Sequence, residues 1–216
     1  MRTKKITVLP EERIKVAVLV SGGGTNLQAI IDAQKEGQLP SVELALVVAN
    51  NPEAFALQRA ANAGIPTMVL TRKQCGGREA FEEALLKALE TYGIEVIVLA
   101  GFMTILSEHF TSRYPRAILN VHPALIPSFC GEGFYGLKVH EAVLRSGVKV
   151  TGATVHFVNE IPDGGEIIDQ KAVRVCAGDT PESLQKRVMR QAEWKLLPAC
   201  LEKVCCERIL EKRKEV

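Results

Sequence analysis

The stretch Ile14-Lys15-Val16-Ala17-Val18-Leu19-Val20-Ser21-Gly22-Gly23-Gly24-Thr25-Asn26-Leu27 decides the fold. Its first seven residues form an apolar run broken only by Lys15, the pattern of a strand buried on both faces. Three glycines turn the chain, and Leu27, Ile30 and Ile31 then fall at helical spacing. The turn has two readings. Geometry alone accounts for glycine between a strand and a helix. Three in succession also leave the N–H groups of a helix N-terminus open to a phosphate, with Thr25 and Asn26 as added donors. Leu27 stands where the third glycine of a dinucleotide fingerprint belongs, and no Lys-Ser/Thr pair makes the turn a P-loop.

Outward from this unit, strand and helix signals alternate. Val42 to Ala49 reads as a second strand, and Asn51-Pro52-Glu53 as a helix start with Gly64 as its stop. A short strand follows at Thr67 to Leu70. Phe81, Ala84, Leu85, Ala88, Leu89 and Tyr92 form a helical stripe ended by Gly93. Ile94 to Ala100 predicts a strand, Ile105 to Tyr114 a helix and Ala117 to Asn120 a further strand. The expected fold is therefore α/β and Rossmann-like, a mostly parallel twisted sheet with helices on both faces. Val148 to Val158 and Gly165 to Val175 predict two strands around Asp163, an antiparallel C-terminal extension. Thr180-Pro181-Glu182 starts a long helix toward Val204, with an interruption expected near Pro198. The division expected is an extension over 1–13, one catalytic domain over 14–206 and a charged, fraying tail over 207–216.

Composition narrows the function. Lys and Arg number 27 against 25 Asp and Glu, a net charge of +2, which argues against an electrostatic nucleic-acid binder. The apolar runs are strand-sized, too short to span a membrane. The basic start Met1 to Lys5 lacks the apolar core of a signal peptide. Six cysteines occur without a Cys-x-x-Cys pair or a His at zinc-finger spacing, so reduced thiols, a cytoplasmic location and no metal are expected.

In a parallel sheet, active groups gather beyond the carboxyl ends of the strands. The glycine turn, Gly101-Phe102-Met103 and Asn120-Val121-His122 follow three such strands and so open onto one rim. Pro123 keeps His122 extended, and two residues apart in an extended segment Asn120 and His122 share a face. An amide and an imidazolium there form an oxyanion site. His109, His140 and His156 read as structural. Asp163, before Gly164-Gly165, is either a turn former or a carboxylate beside His122 that raises the imidazole pKa toward neutrality. Lys186, Arg190 and Glu193 share one helical face, either solvated or turned to a phosphorylated amine.

With Val20 to Ile30, Leu99 to Met103, Asn120 to Phe129, Val155 to Val158 and Asp163-Gly164-Gly165 in view, the chain resembles the folate-dependent phosphoribosylglycinamide formyltransferases. The likeness runs from Ile14 to the helix holding Glu193. It implies formyl transfer from 10-formyltetrahydrofolate, as co-substrate, to the amine of glycinamide ribonucleotide in purine biosynthesis. It further implies small-molecule partners only, and a monomer or homodimer. Position by position, it makes Gly24, Thr25 and Asn26 the phosphate grip, with Arg190 and Glu193 also at the ribonucleotide. Arg78, Met103, Thr104, Ile105, Leu106, Asn120, Asn159, Glu160, Ile161, Pro162 and Asp163 would line the folate site. His122 would be the proton donor, Asp163 the group that tunes it, and Asn120 its partner. Thr104 stands where many relatives carry Arg, and the glycine-rich loop Cys130 to Gly136 is either a lid or a passive surface loop. The rivals are a formyltetrahydrofolate hydrolase, whose known members carry a further regulatory domain, and an initiator-tRNA formyltransferase, which would want a basic domain. An NAD-dependent oxidoreductase or a non-catalytic nucleotide module is disfavoured by the missing third glycine and the Asn/His/Asp set.

Overall fold

A computed structural model describes residues 7–215, so the basic start expected not to be a signal peptide lies largely outside the described residues. Seven strands form one sheet in the order β3-β2-β1-β4-β5-β6-β7. They are β1 Ile14–Val20, β2 Val42–Ala49, β3 Thr67–Val69, β4 Val96–Leu99, β5 Ile118–His122, β6 Val150–Phe157 and β7 Ile167–Arg174. The first five are parallel; β6 and β7 run antiparallel, which bears out the expected architecture. Order reverses between β1 and β4, a switch point where open sheets of this kind bind ligands.

Strand β1 shows why the sheet is doubly covered. Val16, Val18 and Val20 join one core with Leu27 and Ile30 of helix α1 (Thr25–Lys35) and Leu197 and Leu201 of helix α8 (Trp194–Glu215). Ala17 and Leu19 face a second core with Phe81, Leu85 and Leu89 of helix α4 (Arg78–Thr91). Residues facing both ways are buried, so the strand reads as continuously apolar rather than alternating.

Several local expectations change. Helix α2 runs Phe55–Asn62 rather than starting at Asn51. The Asn51 side chain instead accepts from Glu53 N–H at 3.0 Å, closing its own turn ahead of the helix. The helix expected from Ile105 shrinks to α5, Glu108–Thr111, capped by Ser107; the residues before it form an extended loop. Helices α3 (Arg72–Cys75) and α6 (Leu137–Ser146) were not anticipated. Helix α7, Pro181–Val188, starts where predicted, with the Thr180 hydroxyl accepting from Ser183 N–H. The break in the long helix comes at a π turn, Met189–Glu193, and Pro198 lies close behind it near the start of α8. The charged residues after Glu207 continue α8 to Glu215, with Arg213 gripping Glu12 and the Thr7 carbonyl.

Candidate active site

Pairing of β5 with β6 sets Asn120 opposite His156 and His122 opposite Thr154. His122 is only 4% exposed. Its Nδ1 lies 3.4 Å from Asp163 Oδ2, and its Nε2 donates to the Phe129 carbonyl at 2.8 Å. Asp163 Oδ2 also accepts from Gly131 N–H at 2.9 Å, while its Oδ1 is 3.6 Å from His156 Nε2. His156 Nδ1 donates to the Phe157 carbonyl at 2.8 Å, since a carbonyl can only accept. His156 Nε2 lies 3.2 Å from Asn120 Nδ2 as well, so one ring nitrogen stands between the Asn120 amide and the Asp163 carboxylate. Asn120, His122 and Asp163 are thus one constellation.

His156, buried and hydrogen-bonded to the Phe157 carbonyl, adjoins it as a supporting residue, in keeping with its structural reading. A lone imidazole carries no positional signal. Only the antiparallel pairing of Val155-His156-Phe157-Val158 with the Asn-x-His strand reveals it.

The turn that delivers Asp163 is tightly built. Asp163 is left-handed, at φ 56°. A Cβ on Gly165 would fall 1.8 Å from the Phe157 carbonyl oxygen, so only glycine lets the turn close on the end of β6.

The electrostatics correct one expectation. Burial lowers the His122 pKa below its ordinary value, and the Asp163 charge and the Phe129 hydrogen bond recover only part of the loss. Asp163 does act in the predicted sense, but desolvation outweighs it. Burial would raise the Asp163 carboxyl, yet its contacts with His156 and Gly131 and the neighbouring imidazoles hold it below the usual value. The Cys130 thiol is pushed up by burial and by Asp163, so it is a poor nucleophile.

The glycine turn stands at the same rim. Leu19 pairs with Leu99, and Leu99 with Asn120, so the amide sits in register with the end of β1. At about 4.8 Å per strand the two are roughly 10 Å apart. Gly24 is left-handed at φ 69° and caps α1, whose first turn holds Thr25 and Asn26. Asn26 Nδ2 donates to Glu193 Oε2 at 2.8 Å, while the buried Asn26 Oδ1 has no partner among the described residues. Burial pushes the Glu193 carboxyl up to about 7, against the pull of that hydrogen bond. Lys186 and Arg190 are exposed whereas Glu193 is buried, so a wholly solvated face does not describe all three. The π turn widens the helix and rotates Glu193 inward.

Met103 N–H donates to Ser21 Oγ at 2.9 Å and Asn50 Nδ2 to Thr104 Oγ1 at 2.9 Å, which ties the loop after β4 to the glycine turn and to the end of β2. Met103, Ile105 and Ile161 are exposed apolar side chains, whereas Leu106 is buried in the second core and leaves only its backbone for a ligand. Arg78, at the start of α4, pairs with the buried Glu82, which also accepts from Ser107 N–H at 3.0 Å. Asn159 Oδ1 accepts from Ile161 N–H at 3.1 Å, and Glu160 and Pro162 are exposed on the same turn. A cavity of about 310 Å³ adjoins the outer side of that turn. Another of about 670 Å³ lies at the opposite end of the central strands β1 and β4, among Lys15, Glu95 and Arg213.

The switch point is thus flanked by the glycine turn on one side and by an amide, two imidazoles and a carboxylate on the other. The chain belongs to the formyl transferase family, whose model matches residues 14–201. It is 47% identical over 192 residues to the trifunctional purine biosynthetic protein adenosine-3 of Gallus gallus, covering 89% of this chain and 18% of that protein. It is 40% identical over 198 residues to the chloroplastic phosphoribosylglycinamide formyltransferase of Arabidopsis thaliana, covering 91% of this chain and 67% of that one. The chain thus spans about a fifth of the first relative's length. Among solved structures, glycinamide ribonucleotide transformylase 1 from Symbiobacterium toebii superposes with a TM-score of 0.85 at 36% identity, covering 96% of this chain and 94% of that one. Phosphoribosylglycinamide formyltransferase from Brucella melitensis gives 0.82 at 41% identity, covering 89% and 96%. No helix among the described residues is long and apolar enough to cross a membrane.

Proposed function

We propose that the chain transfers the formyl group of 10-formyltetrahydrofolate to the primary amine of glycinamide ribonucleotide, within purine biosynthesis. The observation that carries this is the approach of His122 Nδ1 to Asp163 Oδ2, 3.4 Å, beside Asn120 and on the rim that holds the glycine turn. Gly24, Thr25 and Asn26 take the phosphate, with Arg190 and Glu193 at the far side of the same ligand. The folate lies along Arg78, the 103–106 loop and the 159–163 turn, its ring system against Met103, Ile105 and Ile161. Fixing both ligands supplies the proximity term.

The neutral amine attacks the formyl carbon and the carbonyl electron pair moves onto oxygen. Asn120 Nδ2 and the His122 ring donate to that oxyanion. His122 rests with a lowered pKa, and the growing negative charge beside it favours its protonated form, so it becomes a stronger donor as the charge develops. Asp163, directly or through a water, moves the proton from the attacking nitrogen toward the folate nitrogen. The carbon–nitrogen bond to folate then breaks, leaving formylated ribonucleotide and tetrahydrofolate. A cytoplasmic setting agrees with six free thiols. A single catalytic unit over 14–206 accommodates every group named.

The test is to incubate the protein with formylated folate in the presence and absence of the ribonucleotide. Tetrahydrofolate release that depends on the ribonucleotide, with a formylated product, is expected. Equal release without it would instead make the chain a hydrolase.

A further inference from the structure

Helix α2 holds the glycine turn from behind. Ala56 N–H donates to the Gly22 carbonyl at 3.1 Å, and Arg59 Nε donates to the Gly23 carbonyl at 2.8 Å. A trans peptide points its C=O and N–H in opposite directions. Pinning these two oxygens to α2 therefore aims the N–H groups of Gly23 and Gly24 away from it. Among the described residues neither N–H has a backbone acceptor. Arg59 is itself fixed: Nη1 donates to Gln28 Oε1 at 3.0 Å, and the guanidinium lies 4.9 Å from the centre of the Phe55 ring. Gly24 packs so closely on α2 that an added Cβ would meet Ala56 Cβ at 2.6 Å and Arg59 Cδ at 3.4 Å.

We infer that Arg59 is a positioning residue for the phosphate grip, holding the Gly23 carbonyl back so that the following N–H faces the ligand. The inference rests on the glycine turn being the phosphate site. The fork of a guanidinium suits the task, because one donor reaches the carbonyl while another reaches Gln28; an ammonium offers no such rigid geometry. The fixed charge also makes the potential at the turn more positive. Without Arg59 the Gly23–Gly24 peptide can rotate, since Ala56 still holds the Gly22 carbonyl, and a carbonyl oxygen facing a phosphate repels it.

The experiment compares kcat/KM for glycinamide ribonucleotide with that for its dephosphorylated nucleoside, in the wild-type chain and in Arg59→Gln, Arg59→Lys and Gln28→Leu variants. Wild type is expected to prefer the phosphorylated amine strongly. Arg59→Gln should lower that preference about tenfold or more, the scale of one charge-assisted hydrogen bond, through KM for the ribonucleotide. Its kcat and its KM for the folate should stay unchanged. Arg59→Lys should recover part of the preference, and Gln28→Leu, which leaves Arg59 in place but frees its far end, should lower it less. An undiminished preference in Arg59→Gln overturns the proposal. So does an equal fall for both amines, which would mark a structural role only. A wild-type chain indifferent to the phosphate would instead refute the phosphate site itself.

Discussion

His122 and Asn120 are the residues on which turnover should depend most sharply. Removing one oxyanion donor typically costs about 10²–10³ in rate, so Asn120→Ala and His122→Ala should each lose that much in kcat. Circular dichroism and melting temperature would show that the fold persists; near-full activity in either variant would exclude these roles. Glu193 makes a different prediction. Its carboxyl sits at about 7 when folded against 4.5 ordinarily, so the folded chain keeps a proton there that the unfolded chain has released. Stability therefore falls as pH rises from about 4.5 to about 7 and levels off beyond, by about 3 kcal/mol in all. Glu193→Gln keeps an acceptor for Asn26 and removes the ionisation. Its denaturant midpoint should exceed wild type at pH 8 and match it near pH 4.5, and parallel curves at the two pH values would contradict the assignment.

At this scale the pairing of Asn120 with His122 was legible, because a strand period of two puts both side chains on one face. Asp163 was legible only as a candidate. Thirty-six residues of loop, helix and strand separate His122 from the 159–163 turn, and no local rule says that they meet. His156 and Arg59 were invisible, since each acts through a backbone carbonyl or an amide that only the tertiary fold delivers.

Among the elements, the turn from Asp163 to Gly165 is the most demanding. A methyl group at Gly165 would overlap the Phe157 carbonyl, a backbone atom that can give way only by moving the end of β6. Gly165→Ala should therefore displace Asp163, lower the melting temperature and reduce kcat by at least tenfold, as in a loss of near-attack geometry. Wild-type kinetics in that variant would mean the turn is more plastic than its packing indicates. The loop between β5 and α6 matters in another way. Phe129, at φ 54°, sets its carbonyl on His122 Nε2, so in the proposed mechanism this carbonyl competes with the oxyanion for that donor. The π turn could not be anticipated from periodicity, because a five-residue widening disturbs a 3.6-residue stripe only slightly. Asn51-Pro52-Glu53 misled for a related reason: the same residues that start a helix also close a self-contained turn.

For the molecule as a whole, the parallel sheet and its two-faced core followed from continuous apolar strands separated by helical stripes, and the first five strands were readable in the sequence, whereas their order in the sheet was not. Both cores lean on β1. Leu27→Ala, in the core beneath the glycine turn, should cost about 2–5 kcal/mol, and Phe81→Ala, in the opposite core, about 3–5 kcal/mol. Urea titration of each variant checks this. A loss below about 1 kcal/mol in either would mean that its layer relaxes around the cavity.

Helix α8 gives the molecule a polarity. Its 22 residues make a rod of about 33 Å, leaving the reactive rim just after Glu193 and ending where Lys212 meets Glu95 and Arg213 meets Glu12. Those acidic partners precede β4 and β1, so the rod carries the chain to the far pole. A domain tethered beyond residue 215 would hang from that pole and leave the entrance for both small molecules unobstructed.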